Sequence, residues 1–218
     1  MSVQHHIGDD LLLSYAAGTL DEASSLLVAT HLALCPHCRA RSTAAEAVGG
    51  ELLEALPAAE LPPGMMQSVM AQLRREPPAA PAPARMAPAS DIVIPEPLRS
   101  YLGGDLRTLR WTRVAPRVQQ IVIDIPGSRP QARMLRFQGG TQVPTHGHGG
   151  RELTLVLSGS LCDRDAVLVR GDVAETDEQT EHQPYAGPEQ DCICLAVTDA
   201  PLRFKSPWAR LLQPLFRI

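Results

Sequence analysis

Over the first third of the chain, apolar residues recur at helical spacing. Beyond it they fall into short runs separated by Gly, Pro and Asp. Asp9 to Ala17 is apolar-rich and meets Gly18, a good helix stop. Thr19 or Asp21 can cap a second helix running to about Leu34, with Leu26, Leu27, Thr30 and Leu34 at helical spacing. A third helix is expected from Pro36 to about Leu56, weakened or bent at Gly49-Gly50. After Leu61-Pro62-Pro63, the segment Gly64 to Arg75 sets Met65, Met66, Val69, Met70 and Leu73 on one side of a fourth helix.

The period then changes. Val118–Ile125, Ala132–Phe137, Leu153–Leu157, Ala166–Val169 and Cys192–Val197 read as strands, and short strands between turn residues predict a β-sandwich or small barrel. Between the two patterns, residues 76–90 are dominated by Pro and Ala without apolar periodicity, which predicts a semi-rigid extended linker. The expected architecture is an α + β multidomain chain: a helical domain at 1–75, the linker at 76–90 and a strand-rich domain at 91–218. Trp208, Leu211, Leu212, Leu215 and Phe216 form an apolar tail that should pack on something.

Composition narrows the function classes. Hydrophobic residues make up 44% and charged residues 20%, so the chain can build packed cores. The net charge of −4 is concentrated in residues 1–75, which hold eight acidic and four basic residues. An acidic module is a poor DNA binder but would suit a basic protein partner. No apolar run approaches the ~20 residues of a membrane helix, and the start lacks a signal-peptide pattern, so a cytoplasmic protein is expected. There, the five cysteines should be thiols or metal ligands.

Residues 31–38 read His-Leu-Ala-Leu-Cys-Pro-His-Cys. His31 and Cys35 lie four apart and share a helix face, and Cys35 and Cys38 have the spacing of a zinc knuckle. His6 would close a tetrahedron of two Cys and two His, which is the donor set of structural zinc. His5 could stand in for His6 and His37 for His31, and a redox Cys-x-x-Cys would need a βαβ context that is missing. A module of this size has a thin core, and metal binding can supply much of its folding energy.

An N-terminal His followed by His-x-x-x-Cys-x-x-Cys on short helices resembles the zinc-binding anti-sigma family. The resemblance implies a helical module that clasps an extracytoplasmic-function sigma factor and covers the surfaces it uses for RNA polymerase. It also implies that Gly64 to Arg75 is the family's fourth helix, which touches the sigma factor; Met side chains suit such an adaptable interface.

A second constellation lies at Gly140, His146, His148, Glu152 and Gly159, whose spacings match the first motif of the cupin family at every position. His146 and His148 on an extended segment face one way. Gly147, Gly149 and Gly150 let Glu152 return to the same ion. His182, the only later His, is the fourth candidate, although the second cupin motif around it is degenerate. Three imidazoles and a carboxylate suit Zn, Mn, Fe, Ni or Cu. Cupins with this ligand set include dioxygenases and isomerases, so a metal-dependent cupin enzyme carrying a zinc interaction module is the alternative reading.

The order of the two modules resembles the ChrR-type anti-sigma factors specifically. That resemblance implies a regulator rather than an enzyme, without DNA or membrane binding. The sigma factor would be released in response to singlet oxygen or organic hydroperoxides through the cupin, with turnover of the anti-sigma factor by a protease. It includes the pair Cys192 and Cys194, which alternate on one strand face; oxidation of exposed thiols is one reading and buried strand cysteines the other. Self-association of the cupin is open.

Overall fold

The computed structural model describes residues 3–75, 94–104, 106 and 108–204. The linker expected at 76–90 and the apolar tail from Trp208 to Phe216 lie outside the described residues. Helices α1 (Asp9–Ala16), α2 (Glu22–Leu34), α3 (Pro36–Glu54) and α4 (Met65–Arg75) come first. Each boundary has a local cause. Gly18 adopts φ +66° just past α1, a left-handed turn that glycine takes without strain. The Asp21 carboxylate accepts the Ser24 N–H at 2.9 Å and caps α2. Cys35 ends α2 and caps α3, with Pro36 in the first turn. The helix α3 runs unbroken through Gly49-Gly50, so these glycines weaken it without ending it.

A fifth helix, α5 (Glu96–Leu102), was not expected from periodicity. It buries Leu98, packs against α2 and is closed by Gly103 at φ +67°.

The strands are β1 (Thr112–Ala115), β2 (Val118–Ile123), β3 (Gln131–Phe137), β4 (His146–Gly147), β5 (Glu152–Ser158) and β6 (Ser160–Asp163). They continue with β7 (Ala166–Val169), β8 (Val173–Thr176), β9 (Glu181–His182), β10 (Tyr185–Ala186), β11 (Cys192–Thr198) and β12 (Arg203–Phe204). Six form an antiparallel sheet in the order β1-β2-β3-β11-β5-β8. Two three-stranded sheets, β10-β6-β7 and β12-β4-β9, complete the strand-rich part. All five expected strands are present; the missed ones are mostly two to four residues long.

The large sheet has two different apolar faces. On β11, Ile193, Leu195 and Val197 join one core with Leu26, Leu27 and Val28 of α2. The alternating Cys192 and Cys194 turn to a second core with Phe137, Val156, Leu161 and Leu168. Strand β5 divides the same way: Leu153, Leu155 and Leu157 face the helices and Val156 faces inward. Helix α2 therefore lies directly on the back of the sheet that walls the inner site.

The chain start meets the outer edge of this sheet at one point. Strand β8 is its last strand, and the Val173 N–H donates to the His5 carbonyl at 3.1 Å.

Candidate metal centres

The first centre is assembled from three places. His6 precedes α1, His31 sits in the last turn of α2, and Cys35 and Cys38 flank the start of α3. Their ligand atoms all lie within 4.8 Å of one another. His6 Nδ1 is 3.4 Å from Cys35 Sγ and 3.5 Å from Cys38 Sγ. His31 Nδ1–H donates to the Gly171 carbonyl at 2.8 Å, which turns Nε2 toward the thiols. That Nε2 is buried and has no hydrogen-bond partner among the described residues. His5 is aimed elsewhere, its Nδ1 3.5 Å from Asp172 Oδ2. The His37 ring is 4.8 Å from the His6 ring but falls outside the four-atom group.

The electrostatics match a cation site. Burial pulls the His31 imidazole below the usual 6.5, against the hydrogen bond to Gly171, so the ring is neutral. Burial, and then the Cys35 sulfur beside it, push the Cys38 thiol up from 9.0 to about 11. A buried orphan imidazole nitrogen beside two buried sulfurs is a costly arrangement without a cation. Two sulfurs and two nitrogens fit zinc.

These shifts fix a pH dependence for the chelator-treated protein. The lowered His31 value means that the unfolded chain gains a proton first on acidification, so stability is lost as pH falls below 6.5. The raised Cys38 value means that the unfolded chain loses its proton first, so stability is lost as pH rises from 9.0 toward 11. Thermal melts of chelated protein should peak between these limits. With zinc, which needs thiolates, the alkaline loss should vanish and acid should release the metal.

The second centre lies inside the sheets. His146 on β4 pairs across to His182 on β9, and His148 follows β4 by one residue. The His182 Nε2 is 3.0 Å from His148 Nε2 and 3.1 Å from His146 Nε2. Two of the three rings are oriented from behind. His146 Nδ1 donates to the Pro144 carbonyl at 2.8 Å and His182 Nδ1 to Asp163 Oδ2 at 2.7 Å. Burial lowers the His146 value, so that ring is neutral and its Nε2 carries a lone pair. Nitrogen lone pairs converging at this distance repel unless a cation sits among them, so the residues fit a metal.

Glu152 stands beside this triad. Its Oε2 is 3.5 Å from His148 Nδ1, and Oε1 accepts the Thr154 hydroxyl at 3.1 Å. Burial pushes its carboxyl up, but the His148 and His146 rings and Thr154 outweigh burial and hold it below the usual carboxylate range. The structure thus groups His146, His148 and His182 and places Glu152 next to them. The cavity they open onto is otherwise largely apolar, with Leu135, Phe137 and Val143 among its walls.

The reading of Cys192 and Cys194 as exposed thiols is corrected. Both are fully buried, with sulfurs 3.4 Å apart. The hydrogen bond to Cys192, then burial, raise the Cys194 thiol well above its ordinary value, which keeps it a poor nucleophile. Three residues that support the centres went unnoticed in the sequence: Asp163, Gly171 and Asp172. Asp163 closes strand β6 and Gly171 and Asp172 sit in a turn, and single residues of this kind leave no periodic signature.

The helix α4 carries none of its apolar side chains inside. Met66 is 70% exposed and Leu73 62%, with Met65, Val69 and Met70 also exposed. The end of α3 adds Leu52 and Leu53, and Leu56 follows just after it. Such an apolar surface marks an interaction site. Among the described residues, no helix is long and apolar enough to cross a membrane.

Known proteins resemble this chain. The family model described as ChrR Cupin-like domain matches residues 102–201, and a zinc-finger family model matches residues 9–39. The chain is 49% identical over 218 residues to the anti-sigma-E factor ChrR of Cereibacter sphaeroides, covering 100% of both chains. It is similar to a crystal structure of Rhodobacter sphaeroides SigE in complex with the anti-sigma ChrR, at TM-score 0.77 and 45% identity. That match covers 91% of this chain and 100% of the other. The full-length relative is named as a sigma-factor antagonist and not as an enzyme. With its zinc-finger and cupin-like parts in the same order, this chain belongs to the ChrR family of anti-sigma factors.

Proposed function

We propose that this protein is a cytoplasmic anti-sigma factor that holds an extracytoplasmic-function sigma factor away from RNA polymerase and releases it under singlet oxygen or organic hydroperoxide stress. The domains are a helical clamp at 1–75, a linker at 76–90 and a cupin sensor at 91–218, with α5 of the sensor part resting on α2 of the clamp. Zinc is held by His6, His31, Cys35 and Cys38. A divalent metal (zinc, manganese, iron or nickel) is held by His146, His148 and His182, with Glu152 as the fourth ligand. Neither centre turns over a substrate.

The observation that carries this reading is the pairing of a built sulfur–nitrogen cluster with the uncovered apolar side of α4. The cluster ties the first three helices together, and α4 presents what a partner would bury. The partner class follows from the family and from the SigE complex to which the chain is similar.

Run-off transcription tests it. Adding the full chain to core polymerase with the sigma factor should silence its promoter at one-to-one stoichiometry. The double variant H146A/H148A should inhibit equally well yet fail to release the sigma factor when a photosensitiser generates singlet oxygen. Undiminished transcription with excess chain would refute the antagonist reading, and normal release by the double variant would refute the sensor assignment.

A further inference from the structure

One turn of the cupin sheet holds, from across the molecule, the His31 ring of the sulfur–nitrogen cluster and the backbone immediately before His6. The Asp172 carboxylate is completely buried. Through Oδ1 it accepts the Gln4 N–H at 2.7 Å and the His5 N–H at 3.0 Å, and through Oδ2 the Val169 N–H at 2.9 Å. The Val173 N–H fixes the His5 carbonyl at 3.1 Å. The backbone immediately before His6 is therefore pinned at three points. One residue earlier in the turn, the Gly171 carbonyl accepts His31 Nδ1–H at 2.8 Å. The turn is in its turn bonded to β5, whose Val156 gives its N–H to Asp172 O at 3.0 Å and accepts the Gly171 N–H at 2.8 Å. Strand β5 begins at Glu152, beside the inner histidine triad.

We propose that the Gly171–Asp172 turn is a latch that sets how tightly the helical domain retains its zinc. Docked, the turn orients His6 and His31 toward the two sulfurs. Undocked, it leaves both imidazoles free to swing away, and the metal becomes exchangeable. The cupin thereby controls the clamp through the outer hydrogen bonds of the zinc ligands and not only by packing. The latch rests on the zinc reading of the cluster given above.

Two substitutions in the full-length, zinc-loaded chain probe it. D172N replaces one carboxylate oxygen by an amide donor, so the side chain can no longer accept at both ends. G171A keeps the carboxylate, but a Cβ there would lie 2.6 Å from Val3 Cγ2 and 3.6 Å from Leu34 Cβ, at a φ of +95°. R151A is the control; it removes the ion pairs to Asp10 (3.1 Å) and Glu175 (3.2 Å) at the same junction without touching the turn. Iodoacetamide labelling of Cys35 and Cys38, read by peptide mass spectrometry, assigns metal loss to this site and not to the histidine triad. Far-UV circular dichroism checks the fold.

Labelling should be about 10–100-fold faster in D172N and G171A, the usual effect of losing an outer-shell partner, and unchanged in R151A. Coupling is reciprocal, so in the wild type chelation of zinc should speed amide hydrogen exchange at Gln4, His5 and Val173 and leave β2 and β3 unaffected. This arm needs no variant to fold. Wild-type labelling rates in a folded D172N or G171A, or exchange at those amides indifferent to zinc, would overturn the latch while leaving the zinc site intact. Rapid labelling of Cys35 and Cys38 in the wild type as purified would overturn the zinc reading and the latch with it.

Discussion

Replacing Cys35 or Cys38 by alanine is expected to abolish both the zinc at the N-terminal centre and the grip on the sigma factor. The two residues are buried at 1% and 0% exposure and join α2 to α3. Structural zinc contributes about 10–16 kcal/mol of apparent binding energy in small zinc modules, whereas a whole domain is stable by only about 5–15 kcal/mol. Where loss of one thiolate releases the metal, it therefore removes an energy as large as the stability of the whole helical domain. Alanine also leaves the His31 nitrogen buried without a partner, which adds about 1–3 kcal/mol. Elemental analysis should show the loss of one zinc, far-UV circular dichroism a drop in helix signal, and pull-down no sigma factor. The cupin metal should stay, because its histidines sit on β4 and β9 and in the turn after β4, apart from α2 and α3.

The second large effect concerns a surface that contributes nothing to the fold. In α4, Met66 and Met70 lie four residues apart and Leu73 three further on, which places them on one side of the helix. None is buried, so M66D and M70D should each change stability by no more than about 0.5 kcal/mol. At the centre of an interface, each would cost about 2 kcal/mol or more, roughly 30-fold in affinity. The double variant should thus melt like the wild type and carry its zinc, yet bind the sigma factor about 1,000-fold more weakly by titration calorimetry. Equal affinity would place the contact surface elsewhere. The contrast with the cysteine variants separates the two roles, one side chain set building the clamp and the other touching what it holds.

Much of this was legible in the sequence because its signals are local. Helices α1 to α4 announce themselves by period, by the Asp21 cap and by Gly18, and their bounds differ from expectation by only a residue or two. Three of the four residues proposed to hold the N-terminal zinc fall within eight residues, so the cluster needed little of the fold to be seen. The choice of His6 over His5 was not legible. It is made by Asp172, 167 residues away from His5, which takes the His5 amide and faces its ring. The short strands β4, β9, β10 and β12 hold two residues each, too few for alternation to register. The helix α5 spans only seven residues beside the Pro/Ala segment, although Pro97 and Gly103 marked its ends. The two thiols of β11 were rightly placed on one face, but no sequence pattern tells which face of a doubly covered sheet meets solvent, and neither does.

The central claim is that a zinc-organised helical domain holds the sigma factor. Co-purification of the full chain with its sigma factor tests this most directly, with wild type beside C35A and C38A and zinc counted in each complex. The account predicts a one-to-one complex in the wild type, carrying the N-terminal zinc, and no complex with either variant. A folded wild-type protein with zinc in place that leaves the sigma factor in the flow-through would contradict it, as would either variant retaining the partner without that zinc.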